Sequence, residues 1–277
     1  MAKIYFQGTF GAYSNLAALS VDPDAEIIPC KTFDDCFNKA SLEPDCKIII
    51  PESNRITGNI GIEYLIFKHR LNIYKEHFQK IEHNLLGQPG AKLNNIKEVY
   101  SHAQGLSQCS KFIKENNIEE HIRADTAGSA EMISKAKDVK QAAIASSLSA
   151  KIYGLDIVKK NIENESGNLT RFLVMGKNIE QPEYSNEKKF ITSCIFRVKS
   201  EPSALYKCLG GFATNQVNLT KLESFSVKNT FDQANFYLDL EGHLEETGVK
   251  KALEELSFHT ETLDILGVYE SSTFRQK

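Results

Sequence analysis

No two of the six cysteines, Cys30, Cys36, Cys46, Cys109, Cys194 and Cys208, form a Cys-x-x-Cys pair, and their spacing is irregular. That pattern offers no disulfide framework and fits free thiols in a reducing compartment, so a cytoplasmic location is expected. The seven histidines show no His-x-x-x-His pair and do not cluster with cysteine, so no metal site is expected. No apolar run approaches the length of a membrane span. The opening Met1-Ala2-Lys3-Ile4-Tyr5-Phe6 lacks the long apolar core and the small-residue cleavage site of a secretion signal. The net charge is only −3 and the basic residues are scattered, so neither nucleic acid nor a membrane surface is expected as a partner. There is no P-loop, dinucleotide fingerprint or evident Ser-His-Asp arrangement, and hence no expected cofactor. Internal repeats and low-complexity tracts are also missing.

What is present reads as a soluble α/β chain. Its 277 residues, 41% apolar and 25% charged, favour two domains. Strands are expected at Lys3–Gln7, at Glu26–Ile28 ending at Pro29, and at Lys47–Ile50 stopped by Pro51. Helices are expected over Tyr13–Leu19 and after Thr32, a candidate N-cap. The apolar Ile48-Ile49-Ile50 suits a sheet covered on both faces. Residues 73–85 look extended and lead to the turn cluster Gly87-Gln88-Pro89-Gly90. A second alternating block follows: strand Glu98–Tyr100, helix Gly105–Glu115, a short segment near Ile122, helix Ala127–Ala136, strand Ala142–Ala145 and helix Leu148–Tyr153. Two such blocks predict two lobes with a cleft between them. A polar stretch carrying Pro182 marks an interdomain linker over residues 178–189. Beyond it the expected order is strand Phe190–Val198, helix Pro202–Phe212, strands Val217–Ser226 and Gln233–Glu241, helix Thr247–Leu256 and strand Thr262–Tyr269. This βαββαβ order is the ferredoxin-like plan.

Four polar, glycine-containing segments fall near predicted strand ends: Gln7–Ser14, Pro51–Gly58, Ser101–Cys109 and Glu165–Phe172. Each offers hydroxyls, amides or helix N-terminal N–H groups suited to an anion. Each also has a plainer reading. Gln7–Ser14 reads equally as a strand-to-helix turn, Ser101 as a helix cap, Asn54 as a turn residue, His102 as a structural histidine, and Asn168–Phe172 as a loop entering a strand. The residues alone therefore stop at a two-lobed α/β protein that binds a small anion in its cleft.

Taken together, the four segments resemble the prephenate dehydratases, over about Lys3 to Tyr269. Ser101-His102-x-Gln104-x-x-x-Gln108-Cys109 is similar to one motif of that family, and Asn168-x-Thr170-Arg171-Phe172 to its Asn-x-Thr-Arg-Phe motif. Asp125-Thr126-Ala127 and Ala150-x-x-Tyr153-Gly154-Leu155 resemble weaker signatures. Ser203–Ala213, Leu219–Ser224 and Asp239–His243 resemble the family's C-terminal ACT domain. The resemblance implies a periplasmic-binding-protein-like catalytic domain over residues 1–177, with a second lobe at about 77–150, and a ferredoxin-like ACT domain over residues 190–277. It also implies a cofactor-free lyase that converts prephenate to phenylpyruvate, carbon dioxide and water. L-Phenylalanine is implied as an effector and a homodimer or homotetramer as the assembly.

The implied roles are specific. Thr170 is the catalytic residue, set against the departing hydroxyl. Gly8, Thr9, Asn54, Arg55, Ser101, Gln104, Gln108, Arg171 and Phe172 form the substrate site, with Arg171 either pairing a carboxylate or holding its loop. Ser203, Ala204, Leu205, Glu223 and Ser224 form the effector site. Two departures stand out. Where the family reads Pro-x-Glu-Asn-Ser-x-x-Gly, Ser53 replaces the glutamate and Arg55 the serine. Glu52 sits one position early and faces the other way on an extended strand, so weakened but retained turnover is expected. In the effector segment Glu223-Ser224-Phe225-Ser226 stands where many members have Glu-Ser-Arg-Pro. Arogenate dehydratase and a non-catalytic sensor are the competing readings.

Overall fold

The computed structural model describes residues 2–178, 180–227 and 234–276; Gln233, the expected start of one strand, and Ile179 of the expected linker lie outside them. The chain is mixed α/β and divides into two compact units. One comprises Met1–Cys36, Ile49–Ile60 and Phe78–Phe172; the other comprises Phe37–Ile48, Gly61–His77 and Leu173–Lys277.

Among the described residues the strands form three sheets. The first has the order Glu26–Cys30, Lys3–Gln7, Lys47–Asn54, Leu169–Gly176 and Asn72–Lys80, with Gly58–Asn59 paired to Lys47–Asn54. Ile48, Ile49 and Ile50 are all fully buried, as an apolar run in a doubly covered sheet requires. Neither proline ends its strand. Pro29 lies within Glu26–Cys30, an edge strand on which a missing N–H breaks no ladder. Pro51 lies within Lys47–Asn54, because the fixed φ of proline is compatible with extended backbone.

The second sheet belongs wholly to the first unit and runs Asp156–Lys159, Asn84–Gly87, Gln141–Ala145, Glu98–His102, Glu119–Arg123. Glu98–His102 is parallel to both neighbours, whereas Asn84–Gly87 is antiparallel to both of its own. Leu85, Val99, Leu106, Ile113, Ala142 and Ile144 form a core on one side, and Leu86, Ala130, Ile133, Ala143 and Leu155 form another. The helix expected over Gly105–Glu115 is two helices, Ala103–Gln108 and Ser110–Glu115. The break falls at Cys109, whose φ of −113° and ψ of 12° leave the helical region.

The third sheet, in the second unit, has the order Leu219–Phe225, Asn235–Glu241, Phe190–Val198, Thr260–Glu270. All its pairs are antiparallel, and with helices Ala204–Thr214 and Thr247–His259 it completes a βαββαβ ferredoxin-like plan. Pro202 stands outside the first of these helices, which starts after Ser203 in a left-handed conformation. Gly211 lies inside it, and a Cβ there would come within 2.7 Å of the Glu255 Cβ. Only glycine permits the two helices to approach this closely. Among the described residues no helix is long and apolar enough to cross a membrane, and none of the six cysteines is in a disulfide.

Candidate active site

The first unit holds a cavity of about 550 Å³, walled from both of its sheets. Asn168, Thr170 and Phe172 present alternate side chains to it from the Leu169–Gly176 strand and the residue before it, following the two-residue period of extended backbone. Gly8 and Tyr13 contribute from the loop and helix after Lys3–Gln7. Gln104 and Gln108 come from the Ala103–Gln108 helix, and Asp125 from the cap of Thr126–Ala136. Among the described residues no lysine or arginine lines this wall.

Thr170 is 7% exposed, and its Oγ1 accepts a 2.8 Å hydrogen bond from Asn54 Nδ2. The orientation of that amide follows from its own partners. Asn54 Oδ1 accepts from the backbone N–H groups of Ile56 and Thr57 at 3.0 and 3.1 Å, so the NH2 end must face Thr170. With one lone pair of Thr170 occupied, its O–H is free to donate into the cavity. Pro51 lines the cavity and Glu52 does not, as alternation predicts. Asn54 departs from that alternation because it begins a turn, and Arg55 N–H closes the loop onto Leu169 O at 2.9 Å.

The glycine loop is locked from behind. Gly11 has φ +91°, and any Cβ there would lie 2.6 Å from Ser149 Oγ. Ser146 Oγ and Ser149 Oγ both donate to Gly11 O, at 2.6 and 2.9 Å. This tie fixes where Gly8 and Tyr13 enter the wall.

Four expected substrate-binding side chains lie elsewhere. Arg171 points to the opposite face from Thr170, where its guanidinium pairs with Glu52 at 3.2 Å with both side chains buried; it holds the strands together. Arg55 is exposed and reaches Gly167 O at 3.4 Å. Ser101 is fully buried and donates to Ile144 O at 2.7 Å, so its hydroxyl is engaged inside the sheet. Thr9 stands outside the lining and donates to Asp125 Oδ1 at 3.4 Å. Gly8, Asn54, Gln104, Gln108, Thr170 and Phe172 do share the cavity. His102 lines it while capping its helix, Nδ1 accepting from Gln104 N–H.

Sequence reasoning missed His83. It is buried, lines the cavity, and bonds Tyr13 Oη at 3.0 Å through Nδ1 and Gln108 Oε1 at 2.8 Å through Nε2. Burial pushes its pKa below the usual imidazole range, opposed by the Gln108 hydrogen bond and the Glu163 carboxylate. Burial likewise pushes the Tyr13 phenol well up, with smaller contributions from Cys109, Glu163 and Glu82. Asp125 caps its helix through Gly128 N–H at 2.6 Å. Among the described residues no group of three histidine, cysteine, aspartate or glutamate side chains is placed to hold a metal ion.

In the second unit Ser203, Ala204 and Leu205 border an open depression with Tyr206 and Phe236. Glu223 and Ser224, on the Leu219–Phe225 strand, are not part of it.

The family model described as "Prephenate dehydratase" matches residues 4–180. A Komagataeibacter europaeus protein named bifunctional N-acyl-homoserine lactone acylase/prephenate dehydratase is 37% identical over 99% of this chain and 98% of its own length. Arogenate dehydratase/prephenate dehydratase 1 of Arabidopsis thaliana is 35% identical over 96% of this chain and 71% of the relative. Among solved structures, one described as "GqqA- a novel type of quorum quenching acylases" matches with TM-score 0.92 and 37% identity, covering 99% of both chains. A prephenate dehydratase from Arthrobacter aurescens in complex with L-Phe matches with TM-score 0.87, 24% identity and 97% and 90% coverage, a likeness of fold.

Proposed function

The chain belongs to the prephenate dehydratase family, and from that premise we propose that it catalyses the decarboxylative dehydration of prephenate to phenylpyruvate in L-phenylalanine synthesis. The observation that carries this reading is the Asn54–Thr170 hydrogen bond, in which Thr170 Oγ1 accepts and so keeps its own proton available to the cavity it lines. The ring carboxylate leaves as carbon dioxide, its electron pair aromatises the ring, and hydroxide departs from the opposite carbon as Thr170 donates to it. Gln104, Gln108 and the Gly8 loop bind the remaining oxygens. A wall with Phe33, Pro51, Ile60, Ile81 and Phe172 and, among the described residues, no lysine or arginine favours loss of the ring carboxylate, whose charge is dispersed in the transition state. Incubating purified protein with prephenate is expected to yield phenylpyruvate, read spectrophotometrically. A folded protein that forms none overturns the proposal.

Asp125 favours a second specificity. In a wall without lysine or arginine, its carboxylate is suited to the ammonium group of arogenate, which stands where prephenate has a keto oxygen. Parallel kinetics with both substrates decide between them, and Asp125→Asn is expected to reduce turnover of arogenate more than of prephenate. The acylase activity in a relative's name calls for a nucleophile paired with a base. Here the two cavity histidines bond Tyr13 and Gln108 and the Gln104 backbone, not a serine or threonine hydroxyl, which supports the lyase reading. An N-acyl-homoserine lactone assay is the control.

For organisation, we take residues 1–177 as the catalytic domain, 178–189 as a linker and 190–277 as an ACT regulatory domain, supported by the βαββαβ sheet. L-Phenylalanine is proposed to bind at Ser203, Ala204, Leu205, Glu223 and Ser224. Because Glu223 and Ser224 lie outside the depression bordered by the other three, we assign the two halves of the site to two copies of the chain in a dimer or tetramer. Exposed Tyr206 on the Ala204–Thr214 helix fits such pairing. Calorimetry with phenylalanine tests it, and no heat at millimolar concentration removes it.

A further inference from the structure

We propose that Cys30 and Cys36 are a peroxide-sensitive thiol pair whose oxidation to a disulfide displaces Phe33 in the cavity wall and slows turnover; the effect on turnover rests on the dehydratase reading.

Cys30 ends the Glu26–Cys30 strand, and Cys36 lies one turn into the helix Phe33–Leu42. Their side chains share a hydrogen bond. The turn between them is held by a reciprocal cap. Asp35 N–H donates to Thr32 Oγ1 at 3.1 Å, and Thr32 N–H donates to Asp35 Oδ2 at 3.1 Å. The strand end is held as well. Cys30 pairs in register with Gln7, and its carbonyl accepts from Gly8 N–H at 2.9 Å. Backbone contacts on both sides thus keep the two sulfurs together.

The ring that a disulfide would close contains Phe33. Phe33, Gln7 and Gly8 all line the cavity. A disulfide demands its own torsion angle and a shorter sulfur separation than hydrogen-bonded thiols have. Closing it therefore draws the start of the helix toward the end of the strand. Phe33 is the first residue of that helix and moves with it. Gly8, tied to the Cys30 carbonyl, is pulled by the same change.

The two thiols are unequal. Cys30 is half-buried, and the other five cysteines are buried. Burial pushes the Cys36 thiol up, and its contact with Cys30 pushes it the same way. Cys36 keeps its proton, which leaves the more accessible Cys30 as the attacking sulfur. Its thiolate attacks one oxygen of hydrogen peroxide, forming a sulfenic acid as the O–O bond breaks and the other oxygen leaves as water. The Cys36 sulfur then attacks the sulfenic sulfur, and hydroxide leaves with the Cys36 proton as a second water. Two thiols and one peroxide give one disulfide and two waters, with sulfur oxidised and oxygen reduced. A dithiol reductant reverses the change by exchange.

The test uses the full-length protein, treated with hydrogen peroxide in the absence of reductant. Peptide mapping is expected to find a Cys30–Cys36 disulfide. Cys30 carried to sulfinic acid while Cys36 remains a thiol overturns the proposal. Hydrogen exchange over residues 7–14 and 31–37 is expected to differ between oxidised and reduced protein, and to stay unchanged in Cys30→Ser treated alike. An oxidised wild type with unchanged exchange overturns the link to the cavity. The kcat/KM for prephenate should fall about tenfold on oxidation, as a small misplacement in a binding wall can cause, and dithiothreitol should restore it. Cys30→Ser should keep its rate through the same treatment, and an equal loss in that variant overturns the proposal. Cys36→Ala should stop Cys30 at the sulfenic acid, captured by dimedone. If that variant fails to fold, Cys30→Ser, altered at the half-buried position, carries the test. A reduced wild type that makes no phenylpyruvate removes the dehydratase reading, while mapping and exchange still decide the thiol pair.

Discussion

Thr170 and Arg171 are neighbours on one strand, and each bonds a residue of the Lys47–Asn54 strand, yet the two contacts do opposite things. Thr170 meets Asn54 at the cavity, in a neutral hydrogen bond that leaves a proton available. Arg171 meets Glu52 on the other face, in an ion pair shut off from solvent and outside the cavity lining. The strand period separates the two roles by a single residue. Two adjacent positions of one motif therefore report different physics: one a reactive group, the other the clamp that fixes where that group sits.

Substitutions should break the comparison cleanly. Thr170→Val keeps the shape and removes the hydroxyl, so kcat is expected to fall by about 10²–10⁴ with the thermal midpoint nearly unchanged. Arg171→Met should do the reverse. It leaves the Glu52 carboxylate buried without its guanidinium, at a cost of about 3–5 kcal/mol in stability, measured by denaturant unfolding. Activity per folded molecule should suffer less than in Thr170→Val. If Arg171→Met proves fully stable and inactive, the clamp reading fails and the guanidinium belongs to the substrate site.

The same contrast explains what the sequence could and could not disclose. Strands and most helices were legible because their apolar periods repeat locally, and alternation alone put Glu52 away from the cavity. Helix Glu63–His69 was not anticipated; it is short and its cap residue, Ile62, makes no side-chain cap bond. Ser101 reads as a ligand donor in its motif, but its fate is set by the Ile144 carbonyl, 43 residues away. His83 gave no signal, because the partners that make it interesting are Gln108, 25 residues on, and Tyr13, 70 residues back. Local patterns fix which face a side chain takes; only the fold decides what it meets there.

Smaller effects sharpen the comparison at the cavity end. Asn54→Ala removes the donor that orients Thr170 and also the turn acceptor for Ile56 and Thr57. A loss of about tenfold in kcat/KM is expected, with about 1 kcal/mol of stability. Arg55→Ser restores the residue the family pattern has at that position. Among the described residues the exposed guanidinium makes one long hydrogen bond, to Gly167 O, so stability should change by less than about 0.5 kcal/mol. The kcat/KM for prephenate should stay within about threefold, since a screened surface charge outside the lining exerts little force on a bound anion. A tenfold or larger change measured at physiological salt would mean that Arg55 reaches the ligand during turnover, and that the working wall includes the turn after Asn54 as well as the strand.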